Sequence, residues 1–233
     1  ILRSNDITMI ESSLPTFEAL CEHHDPSSLF GDQVYLQQYE SVVREYAQLA
    51  STRPQPNKGD LSRSVQLRWR NAGLSAIKSI AASDALASTS GRQIDVIVPL
   101  ILENLWTDSV EWLETLLRRI QEEEKVDADR MLRRRTSVGT VGTADTGGND
   151  AAVFTESALD ADKLAEEDTG VLALQCLKSI FIVPNRPQIH GATAALLKFI
   201  FDRIGQGDSV VTLGQDRKND SGWALTIYNF ICR

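Results

Sequence analysis

Apolar residues recur along this chain in alternating steps of three and four, the spacing that gathers side chains onto one stripe of an α-helix. Ile7, Ile10, Leu14, Phe17 and Cys21 set the pattern, which returns at Ile94, Ile97, Ile101 and Leu105 and again at Ile189, Ala192, Leu196 and Phe199. Strand-like alternation is almost absent. Each such segment has one face to bury, and the turns between segments are short, so the pattern predicts helices that pack against their neighbours.

The spacing predicts a first helix from a cap at Ser4 or Asn5 to His24. Pro15 should kink or restart it, because the proline ring removes a backbone donor and crowds the preceding turn. After Asp25-Pro26-Ser27-Ser28, a second helix runs from about Asp32 to Ser51, with Tyr35, Tyr39, Val42, Val43, Tyr46 and Leu49 on its apolar side. The Pro- and Gly-bearing stretch Arg53 to Gly59 breaks the pattern. A third helix covers about Ser62 to Ala82 with Trp69, Leu74, Ile77 and Ile80 inward, and a fourth Gly91 to Trp106 with Pro99 inside it. The fifth spans about Ser109 to Glu124, with Leu113, Leu116, Leu117 and Ile120 apolar and Arg118 and Arg119 outward. Thr169 is the expected cap of a sixth, carrying Val171, Leu174, Leu177 and Ile180. Pro184-Asn185-Arg186-Pro187 then turns the chain, Gln188 to Ile204 returns as an antiparallel partner, and Ser221-Gly222 opens one more helix.

Gly73 to Ile80 lies over Ala173 to Ile180, sharing Lys78-Ser79-Ile80 with Lys178-Ser179-Ile180 at the same phase. Repeated helix pairs of this size are the mark of armadillo and HEAT arrays. The predicted fold class is therefore all-α, an armadillo/HEAT-like α-solenoid of antiparallel helix pairs with one long disordered loop. The expected division is 1–124 helical repeats, 125–168 loop, 169–233 helical repeats; an irregular helical bundle is the plainer alternative.

The formal net charge of −8 changes this picture only in one place. Gln121 to Asp168 holds thirteen acidic and six basic residues, so the remainder of the chain carries only −1 and has no broad basic face for nucleic acid. Within that acidic segment, Thr136 to Asp150 has too few large apolar side chains to offset the entropy of ordering it. Arg133-Arg134-Arg135-Thr136-Ser137 places arginines ahead of two hydroxyls as basophilic kinases require, making Ser137 the first and Thr136 the second candidate for phosphorylation.

With 42% hydrophobic and 24% charged residues, the chain can bury a sizeable core. No run approaches the roughly 18 apolar residues of a spanning helix, and no basic-then-apolar leader is present. Cys21, Cys176 and Cys232 are odd in number and sit on apolar faces, fitting reduced thiols in a cytosolic protein. Ile1 in place of Met, and the apolar run ending at Arg233, point to a piece of a longer polypeptide.

Catalytic chemistry finds little support. Adjacent His23 and His24 point to different helix faces, and His190 has no Ser or Cys motif near it. Gly139, Gly142, Gly147 and Gly148 lack the strand and Gly-Lys-Ser/Thr of a phosphate loop. Trp69, Trp106, Trp112 and Trp223 sit at core phase. No cofactor or metal is expected. Substantial sheet, or a deep polar cleft lined by convergent ionisable side chains, would overturn the scaffold reading.

Leu2 to Asp25, Tyr46 to Pro54, Arg68 to Ile80 and Val98 to Trp106 resemble the rod of the fungal Efr-three (eighty-five-requiring) family, relatives of Rolling blackout. The resemblance implies a non-catalytic, peripheral protein at the cytosolic face of the plasma membrane. It implies a role as anchor of the type III alpha phosphatidylinositol 4-kinase complex, reached through a tetratricopeptide-type scaffold partner, in support of phosphatidylinositol 4-phosphate synthesis. Contact with anionic lipid would fall mainly to regions outside these residues, with Arg118, Arg119, Arg133, Arg134 and Arg135 as candidate basic contributors. The competing reading is a soluble α-solenoid adaptor that binds peptides or partner proteins without a membrane role.

Overall fold

The computed structural model describes residues 1–4, 6–23, 31–52, 62–83, 92–107, 110–136, 158–181, 193–198, 226–227 and 229–231. Among them the regular structure is entirely helical. Six long helices are present: α1 (Ile7–His23), α2 (Gln33–Ala50), α3 (Arg63–Ala82), α4 (Arg92–Leu105), α5 (Val110–Thr136) and α6 (Ala158–Phe181). The expected Gln188–Ile204 helix is seen only as a helical stretch over 193–198, and its remainder, with Ser221-Gly222 and Cys232, lies outside the described residues.

Local chemistry sets the starts of two helices. Asp32 caps α2, its side chain accepting from the backbone N–H of Val34 at 2.8 Å and of Tyr35 at 3.2 Å. The cap of α1 is Asp6, not the expected Ser4 or Asn5: its Oδ1 accepts from Thr8 N at 2.9 Å and Met9 N at 3.4 Å. A carboxylate at this position also faces the positive end of the helix dipole. α1 runs through Pro15 without restarting, and the hydroxyls of Ser12 and Ser13 donate back to the Thr8 and Ile10 carbonyls just ahead of it.

Two boundaries depart from the sequence pattern. α5 continues to Thr136 where a loop was expected from 125, and α6 begins at Ala158, eleven residues ahead of the expected cap at Thr169. The reason is propensity without burial: residues 121–129 are all exposed, yet Glu, Lys, Ala and Gln favour helix and no Gly or Pro interrupts them. Thr169 is buried inside α6, where its hydroxyl donates to the Ala165 carbonyl at 2.8 Å. Residues 137–157, including Ser137, lie outside the described residues.

α3 and α6 form the centre. α3 packs on α1, α2 and α6, and α6 packs on α3, α4 and α5. The smaller of two cores lies on one side of α3, where Trp69, Ala72 and Ala76 meet Ile10, Tyr46 and Leu49. The larger lies on its other side, where Leu74, Ile77 and Ile80 meet Ile97, Ile101, Leu105, Leu116, Leu174 and Leu177. Burying each such side chain stabilises the fold by roughly 1.5–3 kcal/mol.

α1 and α2 run in opposite directions, with Ser13 bonded to Tyr46 and Cys21 near Tyr39. α3 and α6 run parallel: Arg63 pairs with Glu166, Leu74 accepts from Cys176 and Lys78 donates to Gln175. These are the two segments whose sequences overlay at Lys-Ser-Ile, so the internal similarity corresponds to two adjacent, like-directed helices. α5 also runs parallel to α6, held by Arg119 to Glu167 and Asp168, Glu123 to Gln175 and Glu124 to Lys178.

Candidate functional site

Helix ends converge on a solvent-open polar cleft of about 630 Å³. α3 contributes Arg63, Leu67 and Arg70; Thr52 follows α2; Glu103 and Asn104 close α4, followed by Trp106 and Thr107. The first turns of α5 add Glu111, Trp112 and Thr115, and α6 adds Lys163, Glu166, Glu167 and Thr169. The volume lies within the ordinary range for a ligand site.

Its inner wall is an Arg70–Asn104 unit. Asn104 is 5% exposed although it sits on the apolar stripe of α4. Its amide donates to the carbonyls of Ala50 and Leu100, each at 2.9 Å, tying the end of α4 to the end of α2. The amide orientation is thereby set, and its Oδ1 accepts from Arg70 Nε at 3.0 Å and from Arg70 Nη2. Arg70 is half-buried and makes no ion pair with a carboxylate among the described residues. Burial and then neighbouring Arg63 pull its pKa down to about 10, with Glu166 acting in the opposite sense.

Most of the other charges in and around the cleft are already engaged. Arg63 donates to Glu166 Oε1 at 2.8 Å, Arg119 to Glu167 Oε2 at 3.4 Å, and Thr52 to Glu103 Oε2 at 3.5 Å. A cleft lined by ionisable side chains is the feature set above against a scaffold, but this one has no Ser, Cys or His in its lining to act as nucleophile or imidazole base. Its lining offers two indoles, a guanidinium fixed on Asn104 and four threonines.

The sequence-derived candidates are not assembled into one site. Arg118 is exposed and its guanidinium reaches Thr115 Oγ1 at 3.4 Å. Arg119, expected to face outward, is 27% exposed and bonded to Glu167 and Asp168, so its charge is committed between α5 and α6. Arg133, Arg134, Arg135 and Thr136 occupy the final turns of α5, with side chains outside the described set. His23 is exposed at the end of α1; His24 and His190 lie outside the described residues. Among the described residues no group of three or more His, Cys, Asp or Glu could hold a metal, and no helix is long and apolar enough to cross a membrane.

Burial governs the two described cysteines. Desolvation, with Glu18 nearby, pushes the Cys21 thiol up to about 11, and burial pushes Cys176 up to about 12 against the opposing effect of Lys78. Both are unreactive forms, as their apolar phase predicted.

Arg70 and Asn104 escaped the sequence reading. The available signal was Asn104, three residues after Ile101 and seven after Ile97, a polar side chain at a core position of α4. A buried amide at such a position requires partners.

The whole chain is similar to a protein EFR3 of Pyricularia oryzae, 61% identical over 236 residues that make up 20% of that relative. A protein EFR3 of Gibberella zeae is 58% identical over 233 residues, and a protein efr-3 of Neurospora crassa 51% over 237, each across the whole chain and 21% of the relative. The chain thus spans about a fifth of the length of the curated relatives it matches. No family model and no solved structure matches it. Matches of this identity across every residue of the chain, in several fungi, place it plainly: the chain belongs to the fungal EFR3 family, of which it covers a segment.

Proposed function

We propose that this segment is part of a non-catalytic scaffold that anchors a type III alpha phosphatidylinositol 4-kinase complex at the cytosolic face of the plasma membrane. In that reading the complex is reached through a tetratricopeptide-type partner and the product is phosphatidylinositol 4-phosphate. The observation that carries it is the 61% identity to a protein EFR3 over the full chain. The helical architecture is in keeping with it: helices packed through apolar stripes offer extended surfaces, and the polar cleft described above has no Ser, Cys or His in its lining. Anionic lipid contact belongs in this proposal chiefly to parts of the polypeptide beyond these residues.

The test uses the full-length protein. Tagged full-length protein should concentrate at the plasma membrane and co-purify with the kinase complex, and should float with anionic liposomes. A soluble adaptor would stay in the supernatant, and the anchor reading fails if the protein neither floats nor brings down kinase activity.

A further inference from the structure

Among the described residues, the direct hydrogen bonds of the half-buried Arg70 cation all go to one neutral oxygen. Guanidinium carries five N–H donors in a fixed fork. Nε and one hydrogen of Nη2 are spent on Asn104 Oδ1, which leaves the end-on fork of Nη1 and Nη2 without an acceptor among the described residues. Asn104 cannot swing aside to change this, because its amide is held by Ala50 and Leu100. A charge withdrawn from water without a counter-charge is costly, and a carboxylate on the free fork would relieve that cost through two parallel hydrogen bonds. Lys163, exposed on α6, faces the same cleft with no ion pair among the described residues.

We propose that the Arg70 cleft is a docking site for an acidic side chain on a partner protein segment, its carboxylate seated on the free fork of Arg70 beside Lys163. The inference rests on the scaffold reading. A carboxylate fits better than a phosphate dianion because Glu103, Glu111, Glu166 and Glu167 line the same space and repel the second charge. Glu166 is paired with Arg63 and Glu167 with Arg119, which leaves Arg70 and Lys163 as the unpaired cations of the cleft beside the carboxylates of Glu103 and Glu111. Trp106 and Trp112 supply apolar wall for the stem of the incoming side chain.

The experiment measures fluorescence anisotropy of fluorescein-labelled hexaglutamate titrated with the chain, with labelled hexaglutamine and competing inorganic phosphate as separate arms. Saturable binding of hexaglutamate alone is expected, weakened about tenfold by Arg70→Gln, the scale of one charge-assisted pair. Arg118→Gln, an exposed arginine outside the cleft, should leave it unchanged. Lys163→Gln, an exposed substitution that spares the packing around Asn104, should weaken binding about threefold, the scale of a surface charge. It keeps the test valid if Arg70→Gln fails to fold. Equal binding by wild type, Arg70→Gln and Lys163→Gln overturns the proposal. Absence of binding, or displacement of the peptide by phosphate at matching concentration, overturns it as well. The readout needs no membrane and no kinase, so its failure is separate from failure of the anchor reading.

Discussion

A side chain on Gly73 would put its first carbon 2.4 Å from the backbone nitrogen of Ala50 and 2.7 Å from the carbonyl oxygen of Tyr46. α3 therefore crosses α2 backbone to backbone, at a distance only glycine permits. The obstacle is main chain and cannot rotate away.

Gly73→Ala should destabilise the chain even though alanine is the better helix former by about 1 kcal/mol. Overpacking of this kind costs about 1–3 kcal/mol beyond that gain. Gly170 supplies the comparison: its added carbon would lie 2.4 Å from Leu116 Cδ1 and 2.9 Å from the Trp112 ring, both of them side chains. Urea denaturation should rank Gly73→Ala below Gly170→Ala in stability, and the reverse order would refute a backbone contact at Gly73.

Asn104→Ala removes a buried amide that satisfies the Ala50 and Leu100 carbonyls and holds Arg70. A loss of about 2–3 kcal/mol is expected, since the guanidinium is left with no acceptor. Asn104→Ala in the background of Arg70→Met should cost less than the sum of the two single changes, because the stranded cation is gone. Additive losses in that cycle would show that the two residues are not coupled.

The Arg119–Asp168 pair links two parallel helices but is partly open to water, at 27% and 50% exposure. A double-mutant cycle with Arg119→Gln and Asp168→Asn should give a coupling of only about 0.5–1 kcal/mol, diminished in 0.5 M salt by about half. Coupling that persists at high salt would mean the pair is shielded from solvent.

Raised thiol pKa values tie stability to pH at the alkaline end. The folded state holds the protons of Cys21 and Cys176 more tightly than the unfolded chain does. Their contribution is therefore complete below about pH 9 and is lost between there and the folded values of about 11 and 12. Unfolding free energy should fall on going from pH 8.5 to pH 10.5, and the slope should be shallower in the Cys21→Ala, Cys176→Ala double variant. An unchanged slope would assign the alkaline loss to other groups. Buried Tyr39 and Tyr46, raised first by desolvation, act in the same direction at higher pH.

Ser137 directly follows Thr136, the last described residue of α5, in the sequence. Phosphate there opposes the helix dipole and should weaken the last turn by about 0.3–1 kcal/mol. Hydrogen exchange over 130–136 should quicken after treatment with a basophilic kinase and stay unchanged in Ser137→Ala. Slower exchange would indicate that the flanking arginines capture the phosphate and stiffen the helix.

Helix existence, and which side of each helix is buried, was determined by the sequence itself. Apolar steps of three and four leave one stripe to hide, and Trp69, Leu74, Ile77, Ile80, Leu113, Leu116, Val171, Leu174, Leu177 and Ile180 are all buried as that rule requires. The overlay of Lys78-Ser79-Ile80 on Lys178-Ser179-Ile180 likewise matched two helices that lie side by side. Only the tertiary structure decided that these two run parallel and that Gly73 meets backbone, because relative direction and closest approach depend on contacts a hundred or twenty-odd residues apart. It also decided the cleft: Arg70 and Asn104 are ordinary polar residues until α2, α3 and α4 bring their ends together and remove the water around them. The continuation of α5 past Glu124 escaped the pattern for the opposite reason, since the exposed residues 121–129 leave no apolar stripe to bury and only helix propensity marks them in the sequence.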